Sequence, residues 1–229
     1  MAGNVLSNPK RYITDNDDEG NSFFSNTLNE SLSVVKDLGG ALTRLGYTTD
    51  KPPVVLTDGT DLKLYEASLN ELHPLVTQGG GANVWYIDTP PDSESPMHRT
   101  VSLDFVIQIA GEVELTLSSG ETRIIKPGDL TIQRSTLHKW RNPSKTQWSR
   151  MVGVMSECQP VVTMNGALGE FHAPPPHLDF AYTYTKVPEG AVPVEPHGCH
   201  LLLFMAVKLR KFETYSIHQH QRRACYGWI

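Results

Sequence analysis

Cysteine is scarce in this chain: Cys158, Cys199 and Cys225 are the only three among 229 residues. An odd number with no repeated spacing argues against a disulfide framework and fits a reducing compartment. Long apolar runs are lacking too. The longest, Leu201 to Val207, falls far short of the roughly 20 residues that cross a bilayer. Met1 to Arg11 holds no apolar segment of the kind found in a secretory leader. The expected location is therefore the cytoplasm, with no membrane as a partner. Nor is positive charge in excess, since 20 Lys and Arg stand against 25 Asp and Glu for a net charge of −5. That balance gives no electrostatic footprint for nucleic acid.

What the chain does have is turn chemistry. Eighteen glycines and 16 prolines suit short strands better than long helices. Three zones differ in texture. Residues 1–96 are a strand-and-loop segment expected to pack on a central barrel. Within it, residues 12–14, an acidic turn at 15–20 and residues 22–24 read as strand, turn, strand. Leu32, Val35 and Leu38 have helical spacing and predict a short helix or a loop over 29–38, and residues 83–88 read as a strand. Residues 97–170 are the regular part: strands over 99–109, 112–117, 121–125, 130–133, 138–140 and 147–154, separated by Gly and Pro, indicate a sandwich or barrel core. Residues 171–229 form a C-terminal extension, an arm or partly disordered, that opens with a linker rich in proline.

Residues 98–109 carry the chemistry. Strand alternation puts His98, Thr100, Ser102, Asp104, Val106 and Gln108 on one face, and Arg99, Val101, Leu103, Phe105, Ile107 and Ile109 on the other. The second face is almost wholly apolar and is expected to be buried by a second sheet or by a partner subunit. The first face either meets water or lines an interior where its polar groups need partners.

The spacing across residues 98–142 resembles the paired motifs of the cupin superfamily. The family's first motif is His-x-His, three or four residues, Glu, six residues, Gly. Here the string is His98, Thr100, Asp104 and Gly111. The second motif joins Gly-Asp to His-x-x-x-Asn, matched by Gly128-Asp129 and by His138 with Asn142. Met97 to Asp104, reading Met-His-Arg-Thr-Val-Ser-Leu-Asp, is similar to a fungal branch whose members look like tailoring or accessory proteins of secondary-metabolite pathways. The resemblance spans roughly residues 10 to 170. It implies an all-β fold, the cupin double-stranded β-helix or jelly-roll barrel, with N-terminal extra strands and an irregular C-terminal extension. It also implies a homodimer and a small-molecule substrate, polyketide- or terpenoid-like.

Where the family pattern gathers three histidines and a glutamate around a metal, this chain keeps His98 and His138, has Asp104 for the glutamate and Thr100 for the middle histidine. Two imidazoles and a carboxylate suffice for the facial triad of non-heme iron. His98, Asp104 and His138 are therefore candidate ligands of a divalent transition metal (Fe, Mn, Ni or Zn) and candidate catalytic residues of an oxidoreductase. The same groups with no metal suit proton transfer, and hence a lyase, isomerase or cyclase performing dehydration, decarboxylation or cyclisation. A third reading is a non-catalytic binding cupin, in which His98 and Asp104 hydrogen-bond each other in a filled barrel. Thr100, Gln108, Trp140 and Trp85 are candidate substrate-binding residues, the tryptophans as apolar walls. Six tail residues, His197, Cys199, His200, His218, His220 and Cys225, match no zinc-module spacing and read as unrelated.

Overall fold

The computed structural model describes residues 5–71 and 73–173. Two antiparallel six-stranded sheets form the framework. The first sheet runs Leu130–Arg134, Ser102–Ala110, Ser149–Glu157, Ala82–Thr89, Leu42–Thr48, Lys36–Asp37. The second runs Thr122–Ile125, Val113–Leu117, His138–Asn142, His98–Arg99, Phe171–His172, with Ser93–Glu94 also paired to His138–Asn142. Val106 and Met151 of the first sheet meet Val113 of the second, and Ile87, Ile125 and Trp140 pack against them. Each such buried side chain contributes about 1.5–3 kcal/mol. The expected all-β jelly-roll class is the one found, with each sheet an open path of strands rather than a closed barrel.

Residues 1–96 contribute three strands to the first sheet, and Thr14–Asn16 pairs Ser22–Phe24 as the expected hairpin. Of the short helix or loop expected over 29–38, the segment takes the loop. Of its three spaced apolar residues only Leu32 is buried, and the segment ends in the strand Lys36–Asp37. The helix lies instead at Thr60–Leu69, with Leu62 and Tyr65 buried. There Tyr65 joins Leu45, Trp85 and Met155 in a second core, with Leu69 packed alongside, the spacing of an amphipathic helix.

The single strand expected over 99–109 is two. His98–Arg99 belongs to the second sheet and Ser102–Ala110 to the first, so the chain crosses between sheets at Thr100 and Val101. Beyond the crossing the alternation holds, with Ser102, Asp104, Val106 and Gln108 all buried. The polar face is thus the inner one. The apolar face is not buried by the second sheet as expected: Phe105, Ile107 and Ile109 are 40%, 39% and 44% exposed. Leu130 and Ile132 stand beside them through the pairs Leu130↔Ile107 and Ile132↔Phe105 and are exposed as well.

Register carries the same outer face from Ile107 through Val152 to Tyr86 and Arg44. At that end an N-terminal arm covers it. Asp88 accepts from Arg44 Nη1 at 2.8 Å and from Arg150 Nε and Nη2 at 2.5 and 2.6 Å. Asn8 Oδ1 accepts from Arg44 Nε and Nη2 at 3.0 and 2.9 Å. All three charged side chains are buried. Among the described residues no helix is long and apolar enough to cross a membrane. The rest of the C-terminal extension, with the six tail residues, lies outside the described residues.

Candidate functional site

His138 and His98 stand directly opposite each other on adjacent strands, so their side chains project to the same face. That face is the interior, where both are buried. Their ring centroids are 4.3 Å apart with planes at 50°. Each Nδ1 lies 2.8 Å from the carbonyl oxygen two residues before it, Pro96 for His98 and Thr136 for His138. A carbonyl only accepts, so Nδ1–H donates in both, and a neutral ring is left with a bare lone pair on Nε2. Burial pushes His138 down to about 4, and the neighbouring His98 adds to the shift. His98 is also pushed down, chiefly by burial and then by His172, while its hydrogen bond to Pro96 opposes. Near neutral pH both rings are uncharged acceptors.

Asp104 faces inward from the opposing sheet. Burial pushes its carboxyl up to about 6, and its Oδ1 is enclosed with no hydrogen-bond partner. Its register neighbours are Gln133 and Met155, and its charge raises the Cys158 thiol pKa, after burial the largest cause. Two imidazoles with Nδ1–H held by carbonyls have the arrangement of metal-ligating histidines. The third donor is not gathered with them. Among the described residues no three His, Cys, Asp or Glu side chains form a group that could hold a metal ion. His98, Asp104 and His138 do not form such a group in this arrangement, in which the two imidazoles stand on one sheet and the carboxylate on the other.

A cleft of about 120 Å³ opens beside the imidazole pair, with Leu38, Ala41, Ile87, His98, Trp140 and Met151 among its walls. Of the candidate binding residues Trp140 alone reaches it, its ring edge-on to His138 with centroids 5.7 Å apart. Trp85 does not line the cleft. It packs in the core with Leu45, Tyr65 and Met155, and its indole N–H donates to Leu75 O at 3.0 Å. Gln108 does not line the cleft: its Nε2 donates to Ala110 O and Gly111 O at 2.8 and 3.0 Å, while its Oε1 is buried without a hydrogen-bond partner. Thr100, at the crossing, is half-buried and away from the cleft, and its carbonyl accepts from Ser135 Oγ at 2.9 Å. His172 falls in the stretch from Phe171 that reads from sequence as an extended linker. It pairs in register with His98, the rings parallel to within 5° at 6.3 Å, and is exposed. Nothing in its local pattern signals this, because the pairing joins positions far apart in the chain.

No family model matches the chain. Phomopsin biosynthesis cluster protein C′ of Diaporthe leptostromiformis is 40% identical over 164 residues, covering 72% of this chain and 86% of that protein. The cupin-domain-containing oxidoreductase srdB of Neurospora crassa is 36% identical over 166 residues, 72% of this chain and 82% of its own. Among solved structures, a cupin 2 conserved barrel domain protein from Salinispora arenicola matches with a TM-score of 0.31 and 20% identity, over 34% of this chain and 64% of that one. Identity of this order over most of the length of fungal biosynthesis-cluster proteins agrees with the motif histidines facing each other between two jelly-roll sheets, and this chain belongs to the cupin family.

Proposed function

We propose that this cupin is a cytoplasmic enzyme of fungal secondary metabolism that removes a proton from a small organic substrate held in the cleft beside His98. The observation that carries the reading is the pair of buried neutral imidazoles whose Nδ1–H groups are held by main-chain carbonyls. Their Nε2 atoms are positioned bases with no competing partner among the described residues. His98, in the cleft wall, accepts the substrate proton. His138 stands behind it, and its bare Nε2 is the second acceptor through which the proton leaves. Asp104, titrating near neutrality from the facing sheet, is the group suited to return a proton to the product. Deprotonation of this kind begins an isomerisation, a dehydration or a cyclisation.

The relatives named cupin-domain-containing oxidoreductases favour a second reading, oxidoreduction, for which His98, His138 and Asp104 would hold a divalent metal. Such a metal would supply Lewis-acid or redox chemistry. The described donors do not gather into a three-ligand group. The two readings separate in one experiment. The full chain, purified without a histidine tag, is assayed for metal content and incubated with hydroxylated polyketide metabolites, and products are followed by mass spectrometry. Products of unchanged mass, or lacking water or carbon dioxide, that vanish in His98→Gln and His138→Gln support proton transfer. Products that lose two hydrogens or gain oxygen, with one metal bound per chain, replace it with the second reading.

The assembly proposed is a homodimer closed over the exposed apolar face of Phe105, Ile107, Ile109, Leu130 and Ile132. A patch of that kind on a soluble chain marks an interaction surface.

A further inference from the structure

We propose that the cleft takes an uncharged, ring-sized apolar group bearing a hydroxyl or N–H donor, with the donor directed at the His98 imidazole and the ring against Trp140. The inference rests on the reading of His98 and His138 as bare acceptors and adds to it the chemical class of the substrate. Three features of the cleft converge on that class.

The first is size. A volume of about 120 Å³ is close to the roughly 150 Å³ of an apolar cavity that accepts benzene, so the cleft admits one ring and excludes fused systems from its depth. The second is charge. No lysine or arginine lines the cleft, and Glu94, the one charged side chain that does, is held by Lys139 Nζ at 2.9 Å. An anionic ligand would meet a carboxylate at the rim and no counter-charge within, which disfavours it when desolvated. The third is hydrogen-bonding sense. His98, in the cleft wall, spends its Nδ1–H on Pro96 O and so presents an acceptor, and His138, behind it at 4.3 Å between ring centroids, spends its own on Thr136 O. A ligand that also offered only acceptors would leave acceptor lone pairs at the cleft wall unpaired. A donor satisfies them. Of the other lining hydroxyls, Ser93 Oγ donates to Pro90 O at 2.8 Å and Ser95 Oγ accepts from the main-chain N–H of Trp140 at 2.9 Å. Leu38, Ala41, Ile87 and Met151 complete an apolar wall for the ring.

The test uses the full chain and three probes of nearly equal size: phenol, anisole, which lacks the donor, and benzoate, which carries charge. Binding is measured by calorimetry and located by the NMR shift of the Trp140 indole N–H. Phenol is expected to bind about tenfold more tightly than either of the others and to move the Trp140 signal. In His98→Phe the preference for phenol over anisole is expected to vanish. Benzoate binding as tightly as phenol overturns the assignment to uncharged ligands, and equal affinities of phenol and anisole for the wild-type chain overturn the donor assignment. Both results come from unmutated protein and leave proton transfer to be judged by turnover. A phenol preference that persists in a folded His98→Phe overturns the imidazole pair as the acceptor, and the proposed function falls with it.

Discussion

Asp104 and His138 are buried titratable groups on opposite sheets, and their shifts have opposite consequences for stability. Asp104 is raised from 3.8 to about 6. Its contribution is fully present below the unfolded value and is lost as pH rises through about 6, by about 3 kcal/mol. Asp104→Asn removes that loss, so it should stabilise the protein by up to about 3 kcal/mol near pH 8 and by nothing near pH 4. Melting curves by circular dichroism at the two pH values check it. His138 is lowered from 6.5 to about 4. Its contribution is present above the unfolded value and is lost as pH falls through that window, again by about 3 kcal/mol. His138→Gln should flatten the acid limb of the stability profile between those pH values, which urea titrations at stepped pH will read. A variant that kept the slope would show that another group carries the acid sensitivity.

At the scale of elements, the Asp88 cluster ties the Leu42–Thr48, Ala82–Thr89 and Ser149–Glu157 strands to the N-terminal arm. Asp88→Asn leaves two buried guanidinium groups without a counter-charge and should cost about 3–5 kcal/mol, measured as a lower urea midpoint. Gly81 precedes the Ala82–Thr89 strand at a close approach, where an added Cβ would lie 2.0 Å from Thr49 O. Gly81→Ala should therefore displace the Thr49–Asp50 turn and destabilise this edge of the sheet, visible as faster amide exchange at Ala82, whose N–H donates to Thr49 Oγ1.

The elements differed in how far they could be read ahead. The hairpin at 14–24 and the short strands after residue 110 carry turn residues at each end, so their existence was legible. His98 and His138 were legible too, because motif spacing identifies both and strand parity turns them to one side. The break of the 98–109 stretch into two sheets was not, since Thr100 and Val101 are ordinary strand formers and only the packing of the second sheet bends them across. Parity also leaves the sense of the faces open. A polar row and an apolar row alternate equally well whichever lies inside, and the enclosed polar row here reverses the usual assignment. Trp85 illustrates the remaining limit. An aromatic on an inward strand serves a core or a cavity wall alike, and the helix Thr60–Leu69 decides by covering it.

For the whole molecule, that reversal leaves Phe105, Ile107, Ile109, Leu130 and Ile132 as a continuous apolar surface beside the open edge formed by Leu130–Arg134. Sedimentation velocity of the wild-type chain should show a dimer, and Ile107→Glu should shift it to a monomer while leaving phenol binding at the cleft intact. A wild-type chain that sediments as a monomer at high concentration removes the self-association proposal.

The carbonyls of Pro96 and Thr136 that hold the two imidazoles belong to the main chain. Every residue that could replace proline or threonine there brings the same oxygen, so no exchange of side chain at either position deletes the acceptor that fixes the imidazole tautomer. Lineages descended from such a scaffold are free to redraw the cleft walls for new substrates while the protonation state of the histidine pair is inherited with the path of the backbone.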